Sequence, residues 1–176
     1  MQKFGVKLAN LELKESLWFD IKRYDYDKNN NKILPIPSYK SDSYFEAKMK
    51  TICGFLNSKI GGGCYLVIGA SDDGDFVGLD RDKEIVSSYD RLLRDFKAKV
   101  KKHFEEDVED NLVSWKLFEV KEQRILFVHV TPYVNTRYRD QRWPKSIRIK
   151  DSDISFIREG ADTIPMSPNK IRDIIN

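Results

Sequence analysis

The 176-residue sequence is short of the residues from which many sites are built. It has two cysteines, Cys53 and Cys64, and they form no CxxC pair. That argues against a zinc ribbon and against a secreted disulfide scaffold, and both thiols are expected in the core. There are two histidines, His103 and His129. Neither lies near a partner for acid-base work, which argues against a metal-free ribonuclease using paired histidines. No apolar run approaches the roughly 20 residues that span a bilayer, and the amino terminus has no signal-peptide apolar region. A cytoplasmic, soluble protein is the expectation. No internal repeat is evident, and the phosphate-loop pattern GxxxxGK[ST] is absent. Gly61-Gly62-Gly63 precedes a strand, whereas a phosphate loop should precede a helix, so a tight helix-to-strand connection is the better reading.

What is present suffices for one domain over residues 1–176, since a chain of this length buries a core without staples. Hydrophobic residues make up 40%, which supports a globular fold. Charged residues make up 34% but leave a net charge of only +3, so their distribution matters more than the total.

The stretch from Ile52 to Asp80 organises the rest. Phe45, Met49, Ile52, Cys53 and Leu56 recur at three- and four-residue spacing and predict an amphipathic helix over about 44–58. Cys64 to Ile68 is β-branched or aromatic at most positions and flanked by glycine, as in a strand buried on both faces. It delivers Asp72 and Asp73 to an Asp-Gly turn, from which Phe76-Val77 returns as a short strand.

Before that stretch, Met1 to Lys14 is a short lead with leucines. From Trp18 to Tyr24 the pattern alternates, with Phe19 and Ile21 on one face and Asp20 and Lys22 on the other, predicting a half-buried strand. Residues 24–43, rich in asparagine, proline and serine, read as a loop insertion. After the organising stretch, a helix from Arg81 or Lys83 to about Phe104 carries the stripe Ile85, Tyr89, Leu92, Leu93, Phe96 and Val100. Its basic last turns, Lys97 to His103, complement the helix dipole. Leu112–Val120 and Arg124–Val130 predict a hairpin turning at Glu122-Gln123. Ser146–Lys150 and Ile154–Arg158 suggest another, followed by a loop at Glu159-Gly160 and a closing helix from Pro168 to Ile175.

From beyond the first hairpin into the second, residues 137–150 hold six basic residues against one acidic, interleaved with Tyr138 and Trp143. Cations neutralise phosphates and aromatic faces stack on unpaired bases, so Arg137, Arg139, Arg142, Trp143, Lys145, Arg148 and Lys150 are candidate nucleic-acid contacts, joined by Arg158.

Three blocks, in order, resemble the Schlafen AlbA-like family. Glu15-Ser16-Leu17-Trp18-Phe19-Asp20-Ile21-Lys22 is similar to that family's ESxxxEFK start, with aspartate for the second glutamate. Ile52-Cys53-Gly54-Phe55-Leu56-Asn57, Gly62-Gly63, Ile68-Gly69-Ala70, Asp72-Asp73-Gly74 and Gly78-Leu79 resemble its ICAFxNTxGGxxxIGVxDDGxxxGL. Phe156-Ile157-Arg158-Glu159-Gly160 through Thr163 resembles its YxRxGxxT. The resemblance implies an α/β (α+β) fold with a mixed, largely antiparallel sheet flanked by helices, and a nucleic-acid partner. From the Schlafen branch it implies metal-dependent endonucleolytic cleavage of structured RNA, especially tRNA, by three carboxylates. Those carboxylates would be Glu15, Asp20 and Asp72, with Asp73 in reserve for the third. It also implies a homodimer, because animal Schlafens pair two such lobes into one cleft. The zinc ligands of animal Schlafens are absent, and Ala70-Ser71 replaces the usual Val-Asp.

The residues agree with that chemistry. Converging carboxylates bind Mg²⁺ or Mn²⁺ through oxygen. Lys22, two residues after Asp20 on the same strand, is placed to meet a scissile phosphate. Glu15 and Asp20 converge only if the chain changes conformation between them, because five residues separate opposite faces of a strand. The competing expectation is a non-catalytic DNA- or RNA-binding module of a regulator or defence system.

Overall fold

A computed structural model describes residues 19–22, 26–27, 32–33, 42–58, 63–70, 76, 78–79, 89–104, 108, 112–120, 122–133, 149, 154–167 and 169. The fold is α+β. Four strands form one sheet: β1 (Phe19–Lys22), β4 (Cys64–Ile68), β5 (Val113–Val120) and β6 (Gln123–Val130), in the order β1-β4-β6-β5. β1 runs parallel to β4, while β4 with β6 and β6 with β5 are antiparallel. The sheet is therefore mixed and largely antiparallel, as the resemblance implies.

The two helices among the described residues are α1 (Asp42–Leu56) and α2 (Tyr89–His103). Their apolar stripes, including Phe45, Met49, Ile52, Leu56, Leu92, Phe96 and Val100, are buried in one cluster with Leu66, Ile68 and Val128 of the sheet. Phe45 and Phe96 meet edge to face, ring centroids 5.7 Å apart, where the helices cross-pack. Alternation along β4 and β6 sends Val67, Ile125 and Phe127 into a second, smaller cluster, which Ala70 joins beyond the positive-φ Gly69. β4 is thus buried on both sides, with only Tyr65 partly accessible.

α1 buries more than its stripe. Lys48, Thr51 and Phe55, on another side of the helix, are also buried, as is Ser58 just beyond its end. The cause is a hairpin of β7 (Phe156–Glu159) and β8 (Asp162–Pro165), whose β7 strand packs on α1. At Gly54 a Cβ would lie 3.1 Å from Thr163 Cγ2 and 3.3 Å from the carbonyl carbon of Ile157, so glycine sets how closely helix and hairpin approach.

The structure corrects the sequence-based expectations at several places. Of the expected hairpin of 146–150 with 154–158, the described residues show one bridge, Ile149 to Ile154. The stretch from 156 turns instead at Gly160, whose φ is +58°, and pairs with β8 where a loop was expected. Within 24–43, β2 (Tyr26–Asp27) and β3 (Lys32–Ile33) form a small antiparallel ladder around the asparagine run. The β5–β6 turn falls one residue earlier than expected: Val120 pairs with Gln123, and Glu122 takes φ 63°. The Met1–Lys14 lead lies outside the described residues, as does the closing helix apart from Asn169, which is helical.

Candidate nucleic-acid and metal site

The best-scaffolded candidates sit where β1 lies against β4. The parallel register aligns Asp20 with Leu66 and Lys22 with Ile68. Because the strands are parallel, both end at the same edge of the sheet. β4 then passes through Gly69, at φ 102°, to Ala70, which bridges to Phe76. Gly78 N–H donates to the Gly69 carbonyl at 2.8 Å, and Leu79 N–H donates to the Arg124 carbonyl at 2.8 Å. Asp72 and Asp73 belong to the 71–75 connection, whose two ends are thereby tied to β4 and β6.

Glu15, Asp72 and Asp73 themselves lie outside the described residues, and so do Arg137, Arg139, Arg142, Trp143, Lys145, Arg148 and Lys150. Among the described residues no three His, Cys, Asp or Glu side chains cluster as a metal would need. β1 begins at Phe19, level with Tyr65.

Arg158, expected among the nucleic-acid contacts, requires a correction, because it is 4% exposed. Its Nη1 donates to Thr163 Oγ1 at 3.1 Å, and its guanidinium lies 5.6 Å from the centre of the Phe55 ring. It fastens the β7–β8 hairpin to α1, because burial and the stacking surface hold the guanidinium inside. A signal for this exists in the sequence only once the hairpin is known: Arg158 and Thr163 sit opposite each other in it.

Asn57 stands out in the sequence only as part of a family pattern. It is 2% exposed, and its Nδ2 donates to the Phe156 carbonyl at 2.9 Å. The helix end is thus bolted to β7. At Gly63 a Cβ would collide with the His129 imidazole, which packs against Tyr65 with ring centroids 5.1 Å apart. The last glycine of the triple-glycine turn is required by a neighbouring side chain, which accounts for it without a phosphate. Cys53 and Cys64 are core cysteines in no disulfide, and burial pushes each thiol up to about 12.

The family model described as Schlafen, AlbA_2 matches residues 15–167, and the chain belongs to that family. No curated protein matches it. Among solved structures, the DIP2311 protein from Corynebacterium diphtheriae is similar, with TM-score 0.56 and 18% identity over 90% of this chain. The N-terminal domain of a putative ATP-dependent DNA helicase RecG-related protein from Nitrosomonas europaea gives TM-score 0.41 and 22% identity over 67% of this chain. This chain spans 23% of the first protein's length and 65% of the second's.

Proposed function

We propose that this domain is a divalent-metal-dependent endoribonuclease that cleaves tRNA-like or otherwise structured RNA. Membership of the Schlafen, AlbA_2 family supports a nucleic-acid partner. The observation that carries the reading furthest is the parallel pairing of β1 with β4, which sets Asp20 and Lys22 beside the strand that continues to Asp72. Glu15, Asp20 and Asp72 would hold Mg²⁺ or Mn²⁺, and their donor set, carboxylate oxygen throughout, suits a hard cation. A bound cation would supply Lewis-acid charge to the phosphodiester. Lys22 offers its ammonium to a phosphate oxygen and offsets charge that develops there. The 137–150 segment grips the backbone through arginine and lysine, and Trp143 offers a stacking face.

The test is incubation of purified protein with total tRNA, with Mg²⁺ or Mn²⁺ or with EDTA, beside Glu15→Ala/Asp20→Ala checked for folding by circular dichroism. The expected result is discrete fragments that vanish with EDTA and in the folded double variant. Intact tRNA across wide metal and enzyme ranges, with binding retained by the variant, would overturn catalysis and leave a DNA- or RNA-binding module.

A further inference from the structure

We infer that the outer face of α2 is a second contact surface for the phosphodiester backbone, separate from the 137–150 segment. This inference rests on the nucleic-acid reading above. α2 holds six basic residues and two acidic ones, a net +4 on a chain whose total is +3. Its apolar side is committed to the core through Leu92, Phe96 and Val100. Lys99 is not on the outer strip, because its Nζ lies 5.7 Å from the centre of the Phe45 ring, back toward α1. Arg91, Arg94, Lys97, Lys101 and Lys102 are all exposed.

At about 100° per residue, Arg94, Lys97 and Lys101 project within roughly 60° of one another and form a single strip. From Arg94 to Lys101 the strip runs about 10 Å, enough to face two or three phosphates of one strand at about 3.4 Å each along a duplex.

The helix dipole explains part of this charge and not the rest. Lys101 and Lys102 lie in the last turn, where cations are favoured. Arg91 lies in the first turn, where the dipole disfavours a cation, while Arg94 and Lys97 lie mid-helix, where the dipole calls for none. Arg91 reaches Asp95 at 4.0 Å, an exposed pair of small worth. Arg94 bonds through Nε to the Asp90 carbonyl at 3.3 Å, which steers the guanidinium along the helix. Cations that the dipole does not call for, in line with those that follow, complement a polyanion.

The test measures binding of a fluorescently labelled tRNA transcript by anisotropy at several KCl concentrations, in EDTA so that cleavage does not interfere. Wild type is compared with Arg94→Gln/Lys97→Gln/Lys101→Gln, with Arg94→Glu/Lys97→Glu/Lys101→Glu, and with a Lys116→Gln control. Circular dichroism checks each fold, and the neutral variant keeps the test valid if charge reversal unfolds the helix. The slope of log K against log[KCl] is expected to shrink by about 2 to 3 in the glutamine variant, at roughly 0.7–0.9 for each phosphate no longer neutralised. Affinity should fall at least ~10-fold at low salt, with the control unchanged. A folded glutamine variant with the wild-type slope would overturn this inference while leaving the proposed function intact. Wild type that binds no tRNA would remove both. Binding to anionic phospholipid vesicles that the glutamine variant loses, with its tRNA slope unchanged, would assign the face to a membrane and overturn it as well.

Discussion

At the scale of single residues, burial sets the chemistry. Cys53 and Cys64 have thiols pushed up to about 12 because the core penalises a thiolate. Iodoacetamide at pH 8 should therefore alkylate neither thiol in the native protein and both after unfolding in urea, as read by intact mass. The sign of the pH dependence follows. The unfolded thiols ionise near 9.0 and the folded ones near 12, so their contribution is fully present below about pH 9 and is lost as pH rises toward 12. The melting temperature should fall above pH 9, and less steeply in Cys53→Ala/Cys64→Ala; equal slopes would show that the thiols are not the cause. That the cysteines are core residues is legible from their place in apolar runs. That Arg158 is a core residue is not, because an arginine's burial depends on Phe55 and Thr163 coming to meet it.

At the scale of elements, α1 is held from two sides. Its apolar stripe packs on the sheet and α2, and its far side packs on β7. The Asn57 amide joins the helix end to the strand through the Phe156 carbonyl. Asn57→Ala leaves that buried carbonyl short of a donor and should cost about 1–3 kcal/mol in urea denaturation. A change below about 0.5 kcal/mol would mean that water or a neighbouring donor takes over the bond. α1, β4, α2 and the β5–β6 hairpin are readable because periodicity of 3.6 and runs of β-branched residues are local signals. The β7–β8 hairpin is not, because alternation runs on from Ile154, and nothing short-range fixes whether the partner of 156–159 lies before or after Gly160.

At the scale of the whole molecule, the charge is concentrated while the total is small. The 137–150 segment carries a net +5 and α2 a net +4, leaving the remainder acidic in a chain of +3. Such a distribution steers a polyanion toward chosen faces. If the RNA is gripped by two lobes, each from one chain, light scattering after size exclusion should give two chains per tRNA at saturation. One chain per tRNA, at protein concentrations well above the Kd, would exclude the paired arrangement. The sequence alone determined the family, the main elements and the stripes that form the core, because each is written in short-range pattern or in motif order. Tertiary structure alone decided that β1 pairs parallel with β4, that α1 is enclosed on a second side, and that Arg158 turns inward. Those outcomes depend on contacts between residues tens to a hundred positions apart, and no local period encodes them.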